Sequence, residues 1–519
     1  MSRLSRRSFI EGFSALATTP ALAQTSGPPT PTPFRYEDVV RRARDLSRAA
    51  FEANVPTLPE PLNRLDFDAY RDIRFRSERA FLASTGGPFR MQLFHLGFLY
   101  QRPVTVNVIR DGVPTPIAYQ PQLFDYGRTK IERPLPVNIG FAGFRLHYPL
   151  NNPRVFDELI AFLGASYYRF LGRDQRYGLS ARGVAINAPR NGEPEEFPYF
   201  REFWVDVPPA SSPDHIVVYA LLDGPSVAGA YRFDVYPAVE TTIDVTATLF
   251  PRRTMNSVGL APLTSMFFVG ENDRRRVDPF RPELHDSDGL LMHTGAGEWI
   301  WRPLHNPARK WVSAFIDNNP RGFGLLQRDR TFESYQDLEA FYHLRPGYWV
   351  EPTGNWGEGR VELIELPTDN EATDNVVAYW QPQAPYEPGQ EIAFGYRIRA
   401  LAGADEMHPG GKVANTFQTP AKASGSADPG DPLLRRFMVD FVGGDLAYYL
   451  PEPNLVQVVP SASVGQITHT FVVPNEHTRG FRAAFDVKLE PGQSTDLRAF
   501  LKAGNKALTE TWTFPWTAP

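Results

Sequence analysis

Two acidic runs in this chain could move protons. The first is Glu283-Leu284-His285-Asp286-Ser287-Asp288-Gly289, and the second is Asp369-Asn370-Glu371-Ala372-Thr373-Asp374-Asn375. Around them, residues 271–380 hold six of the nine tryptophans: Trp299, Trp301, Trp311, Trp349, Trp356 and Trp380. Cleaving a glycosidic bond takes one carboxylic acid to protonate the departing oxygen. It also takes a carboxylate to activate water or attack the sugar. Two acidic clusters in an aromatic-rich region can supply that pair. The same residues have plainer uses, since Asp and Asn in such runs shape turns and tryptophans fill cores. Residue types alone leave both uses open.

Other chemistries find less support. The ten histidines form no HExxH pattern, and His285 and His293 stand too far from other ligands to suggest a metal site. Ser166, in Gly164-Ala165-Ser166, lacks the second flanking glycine of a nucleophile elbow. No glycine-rich loop ends in Lys-Ser or Lys-Thr to cradle nucleotide phosphates. With no cysteine, disulfides and thiolate metal sites are excluded. No metal and no cofactor is expected. What remains is carboxylate chemistry on a carbohydrate.

A third segment suits the same ligand. Phe162 to Trp204, FLGASYYRFLGRDQRYGLSARGVAINAPRNGEPEEFPYFREFW, mixes aromatics, arginines and carboxylates between frequent turns. Aromatic faces cover sugar C–H surfaces, while Arg and Glu hydrogen-bond hydroxyls. A buried polar and aromatic sheet with structural ion pairs would look similar.

The elements that must position these groups are mainly strands. Tyr231, Phe233 and Val235 alternate with polar residues, as do Ile243, Val245, Ala247 and Leu249, and Phe144, Leu146 and Tyr148. Period-two alternation gives one buried and one wet face, as in antiparallel sheets. Arg110-Asp111-Gly112 and Glu387-Pro388-Gly389 read as turns. A helix is predicted over Tyr36 to Phe51, where Val39, Ala43, Leu46 and Ala50 share a face, and a short one over Pro153 to Phe162. Residues 403–433, rich in Gly, Ala, Pro and Ser, read as a linker. Beyond it, residues 434–519 carry short strands at Arg436 to Phe441, Ile467 to Val473, Gly480 to Leu489 and Glu510 to Phe514, a spacing that suits a small immunoglobulin-like sandwich. The fold class expected is all-β: a large sandwich over residues 24–402, then the small one.

The N-terminus addresses the chain. Ser5-Arg6-Arg7-Ser8-Phe9-Ile10 is a twin-arginine pattern, followed by a short apolar run from Gly12 to Leu22 and small residues at Ala21-Leu22-Ala23. Residues 1–23 therefore read as a twin-arginine signal peptide cleaved near Ala23, with the periplasm as destination. The apolar run falls short of the ~20 residues a spanning helix needs, so stable membrane insertion is not expected. At 519 residues with 49 prolines, 40 glycines, 13% aromatics and net charge −5, the chain fits a large exported β protein. That charge makes nucleic acid an unsuitable partner.

The motifs also carry a resemblance. Phe162 to Trp204, Leu65 to Phe75 (LDFDAYRDIRF), Gly140 to Arg145 (GFAGFR), Gly322 to Gly359 and Phe437 to Gly444 (FMVDFVGG) resemble, in the same order, elements of the periplasmic proteins for osmoregulated glucan biosynthesis. The G and D types of that family are both similar, and the twin-arginine leader looks more like the D type. The resemblance implies a galactose-mutarotase-like β-sandwich followed by an immunoglobulin-like domain. It implies action on periplasmic β-1,2-glucan as an inverting glycoside hydrolase or a related transglycosylase. The family's acid is matched by Asp374 and its base-side carboxylate by Asp286. Glu371 and Tyr342 match further positions near the reaction centre, and Arg345, Trp349 and Trp356 would position the glucan. Two alternatives share these features: a periplasmic glucan-binding or backbone-organising protein without turnover, and a mutarotase-like epimerase.

Overall fold

The computed structural model describes residues 33–53, 55–130, 135–188, 193–208, 214–278, 280–403, 407–422, 425–427 and 429–519. The stretch read as a leader, with its expected cleavage site near Ala23, lies outside the described residues. The chain is all-β, with several sheets packed as sandwiches.

A ten-stranded sheet runs from Arg90–Phe94 through Gly143–Tyr148, Asp157–Leu163, Tyr167–Phe170, Ser180–Arg182, Val258–Ser265, Val376–Pro382 and Glu358–Glu365 to Trp311–Asn318, with Val184–Ile186 alongside. It packs on a fifteen-stranded sheet that includes Tyr199–Asp206, Ile216–Asp223, Val227–Tyr236, Thr242–Pro251, Ile392–Leu401 and Gly347–Thr353. Many inward positions of the two sheets are rings, set among aliphatic side chains. Phe144 meets Phe203 at 5.0 Å, Phe162 meets Phe233 at 5.2 Å, and Phe170 stacks on Tyr348 at 4.4 Å. Burying rings this way satisfies the hydrophobic drive only if their hydroxyls find partners. They do: the Tyr348 hydroxyl donates to the Phe170 carbonyl and accepts its N–H, and the Tyr168 and Tyr396 hydroxyls lie 3.1 Å apart. The alternation at Tyr231/Phe233/Val235 and Phe144/Leu146 thus builds the core.

Arg110-Asp111-Gly112 turns as expected. Asp111 at φ 52° and Gly112 at φ 76° form the left-handed pair that a tight hairpin requires, joining Thr105–Arg110 to Val113–Pro116.

The second sandwich is welded to the first. A four-stranded sheet, Lys412–Pro420, Leu434–Val442, Gly480–Lys488 and Gln466–Asn475, faces Val456–Ala462, Ser494–Ala503 and Thr511–Thr517. The last of these pairs in parallel with Trp299–Pro303, so the large sheet runs on into the C-terminal part.

Three local expectations need correction. The helix from Tyr36 ends at Ser47, four residues early; its buried Val39 and Ala43 pack on the outer face of the large sheet. Pro153 to Phe162 is not helical. Asp157–Leu163 is a strand between Gly143–Tyr148 and Tyr167–Phe170, where pairing on both edges overrides local propensity. The stretch read as a linker contains the strand Lys412–Pro420. A bulge between Val413 and Asn415 breaks its period-two pattern, which hides it from a sequence reading.

Candidate functional site

One short strand gathers the two acidic runs. Phe267–Val269 pairs with Leu284–His285, so Asp286 follows directly from the pairing, and the Asp286 N–H donates to the Met266 carbonyl at 2.8 Å. On the other side, the buried Asn375 side chain accepts from the Phe267 N–H at 2.8 Å and donates to the Phe267 and Leu366 carbonyls. Asn375 thereby pins the end of the loop that presents Asp374. Residues 88 positions apart in sequence reach one place because both segments hang on Phe267.

Within each run the other polar residues build the backbone. Asn370 accepts from the Ala372 N–H and the Thr373 hydroxyl, which shapes the second loop. Asp288 accepts from the N–H groups of Arg328 and Asp329 at 2.9 Å each. Turn-shaping and site-forming residues are therefore interleaved.

Asp286 is buried and paired with the Arg345 guanidinium. That guanidinium lies 3.8 Å over the Tyr342 ring, and its stem runs past Gly178, where a Cβ would come within 3.2 Å of three Arg345 side-chain atoms. The Tyr342 hydroxyl donates to Glu371 at 2.8 Å. Arg281 also grips Glu371, at 2.8 and 3.2 Å, while Asp278 and Asp337 hold Arg281 from behind. Asp374 opens to the cleft with its side chain 36% exposed, 3.9 Å from Arg169. Its recess of side chains keeps solvent thin around the carboxyl and raises its proton affinity. The Arg169 and Arg345 charges pull it down, and the Asp286 charge raises it. Asp286 and Asp374 sit on the two segments that meet at Phe267.

The structure thus brings Asp286, Asp374, Glu371, Tyr342 and Arg345 together. It does not bring Trp349 or Trp356. Trp349 is 2% exposed and sealed in the core between the two sandwiches, stacked on Trp299. Trp356 packs against Trp380 and Phe394, beyond the end of Val376–Pro382 opposite to Asp374. The tryptophans of this region are largely core, and neither of these two lines the site.

The aromatic surface comes instead from elsewhere. Asp374 and Arg169 line a cleft of about 470 Å³ with Phe94, Tyr100, Tyr167 and Tyr177. Through Phe94, Tyr100 and Leu163 it joins a second cleft of about 520 Å³ walled by Phe67, Phe98 and Arg71. Past Ala165 a third, of about 510 Å³, is walled by Phe197, Tyr199, Arg102 and Glu195. The three clefts are neighbours lined by aromatic and charged side chains, many of them from Phe162 to Trp204. Arg169 and Arg281 were not singled out by sequence; Arg169 lies inside that stretch, whereas Arg281 shows no local signal beyond standing two residues before Glu283. Among the described residues, no group of three or more His, Cys, Asp or Glu side chains is arranged to hold a metal ion.

Comparisons of the whole chain with known proteins agree with one another. A family model described as "Periplasmic glucan biosynthesis protein, MdoG" matches residues 34–516. The "Glucans biosynthesis protein G" of Ralstonia nicotianae is 44% identical over 485 residues, covering 93% of this chain and 95% of that protein. The protein of the same name from Shewanella sp. (strain W3-18-1) is 47% identical over 487 residues, 93% of this chain and 87% of the relative. The "Glucans biosynthesis protein D" of Xanthomonas campestris pv. campestris (strain B100) is 44% identical over 495 residues, 94% and 91% of the two chains.

Proposed function

This chain belongs to the periplasmic glucan biosynthesis family, and from that premise we propose that it shapes periplasmic glucans by cleaving β-1,2-glucan with inversion. In this reading it is exported by the twin-arginine route, loses its leader near Ala23 and works in the periplasm. One observation carries the catalytic part: Asp374 opens to an aromatic cleft while Asp286 is buried on Arg345, on segments that both hang on Phe267, so the environments of the two carboxylates differ.

Asp374 is the acid. Burial and the neighbouring Asp286 charge favour its protonated form, and its opening to the cleft lets it meet a glycosidic oxygen. Asp286 is the base-side carboxylate. Held by Arg345, it takes the proton of the attacking water directly or through a relay in which the Tyr342 hydroxyl and Glu371 are placed to take part. Inverting sites leave room for that water, with carboxyls typically about 6.5–9.5 Å apart. Arg345, Arg169 and the cleft tyrosines orient the chain by hydrogen bonds and ring faces.

The test is incubation of the mature protein with linear β-1,2-glucan while reducing ends are counted. New ends appearing in proportion to enzyme are expected; binding without shortening or cyclisation would leave a glucan-organising protein instead. A pH experiment probes the acid. Arg169 lowers the proton affinity of Asp374, so Arg169→Gln removes that pull and keeps the acid protonated to higher pH. The alkaline limb of kcat/KM should therefore move upward. A limb that stays in place, or moves downward, would take the acid role away from Asp374.

A further inference from the structure

His285 sits behind the site, fully buried, one residue before Asp286. Its ring lies flat against Phe267 at 5.3 Å and edge-on to Tyr335 at 5.2 Å. Both ring nitrogens have oxygen partners: Nε2 is 2.8 Å from Glu283 Oε2, and Nδ1 is 2.9 Å from Gln327 Oε1. The Gln327 amide is oriented by its other end. Its Nε2 donates to the His285 carbonyl at 2.9 Å and to the Tyr342 carbonyl at 3.4 Å, so the atom facing His285 must be the acceptor oxygen. An acceptor faces each nitrogen, so each nitrogen carries a proton.

We propose that His285 is a positioning residue: a buried imidazolium, donating from both ring nitrogens, that fixes Asp286 and Tyr342 relative to each other through the Gln327 amide. The inference rests on the glycoside-cleaving function proposed for this site. Gln327 ties the carbonyl next to Asp286 to the carbonyl of Tyr342, and Tyr342 in turn supports Arg345 and Glu371. One side-chain amide thus spans the two segments that carry the base and its partners. If Nδ1 lost its proton, the Gln327 oxygen would face a lone pair. Turning the amide over would aim that oxygen at two carbonyls, so the bridge would open either way.

The surrounding charges keep the proton in place. Burial alone pulls His285 down, but the Glu283 hydrogen bond and charge, with Asp288 and Gln327, lift it to about 9. Glu271 faces the same pocket from the segment after Phe267–Val269, itself raised to about 8 by burial and by Glu283; its Oε1 accepts from the Thr416 N–H of the C-terminal sandwich. Tyr335 faces the ring from the short helix Phe332–Tyr335, with burial holding its phenol protonated and its hydroxyl on the Asp329 carbonyl, and the Arg328 and Asp329 N–H groups hold Asp288. The imidazolium therefore persists through neutral pH and is lost as pH rises through about 9. Since Glu283 is the stronger acceptor, the Nδ1 proton leaves first.

The experiment uses the mature chain labelled with ¹⁵N-histidine, His285 being assigned by loss of its signal in His285→Gln. At pH 7.5 both ring nitrogens of His285 should read as protonated. Gln327→Met should lower kcat on linear β-1,2-glucan roughly ten- to a hundredfold with KM unchanged, the signature of misplaced groups. Glu283→Gln should let the His285 ring lose its proton at lower pH than in wild type, because the carboxylate that lifts it is gone, and a ring that stays charged over the same pH range would overturn the proposal. A neutral His285 in the wild type, with either ring nitrogen bare at pH 7.5, would overturn the proposal whether or not the variants fold. So would a folded Gln327→Met protein with wild-type kcat. A wild-type chain that releases no reducing ends would instead sink the cleavage function and leave the nitrogen signals to decide the geometry.

Discussion

Asp374→Asn is expected to lower turnover of linear β-1,2-glucan by roughly 10²–10⁴-fold, the contribution of a well-placed general acid, with the fold and glucan binding retained. The side chain opens to the cleft, and the loop that carries it is held by Asn375, Asn370 and Thr368 rather than by Asp374 itself. An amide of the same shape keeps hydrogen-bonding capacity toward a sugar and cannot give up an acidic proton. Thermal unfolding and oligosaccharide affinity should be near wild type while reducing-end release collapses. Retained turnover would transfer the acid role to another carboxyl. Asp286→Asn should also abolish turnover, but less cleanly. It leaves the Arg345 guanidinium, 15% exposed, without its carboxylate, so some stability is lost with the activity.

The second large effect is on stability. Glu510, 0% exposed at the side chain, holds Arg328 through two bonds of 2.5 and 3.0 Å and accepts from the Val413 N–H at 2.8 Å. The Arg328 guanidinium lies 3.7 Å over the Trp301 ring, also buried. Four segments, two from each sandwich, meet at this pair. Glu510→Gln keeps the shape and leaves a buried cation unmatched, which costs about 3–5 kcal/mol when one partner of such a pair is lost. Denaturant unfolding should show that loss. The double change Arg328→Met with Glu510→Leu should recover part of it, since it buries no charge. A loss below about 1 kcal/mol in Glu510→Gln would mean that the sandwiches are joined by their apolar contacts and shared sheet alone.

Much of the fold is legible because its strands are half-buried and their side chains alternate. The Tyr231/Phe233/Val235 pattern survives into the structure since one face meets rings of the opposite sheet. Where that alternation fails, sequence reading fails too. The bulge at Val413 hides a strand, and Asp157–Leu163 is a strand because of its neighbours rather than its own residues. The site was partly legible. The two acidic runs stand out as residue types, but Asp286, Asp374, Glu371, Tyr342 and Arg345 are picked from their surroundings only through the family resemblance; in the structure the five lie on neighbouring segments. Trp349 and Trp356 misled because a tryptophan in a core and one on a sugar platform look identical in sequence. Arg169 and Gln327 show their roles only through contacts made in the fold, with Asp374 for Arg169 and with His285 and two backbone carbonyls for Gln327, which leave no local mark in the sequence. The same holds for Phe267, whose backbone joins both acidic runs.

The most direct test of Asp286 and Asp374 working as an acid–base pair is the configuration of the sugar end they release. Proton NMR during the first minutes of cleavage of linear β-1,2-glucan by the mature protein reads it before mutarotation blurs the result. The α-anomer should appear first, as inversion at a β-linkage requires. A β-anomer appearing first, or no new anomeric signal at any enzyme concentration, would contradict the account.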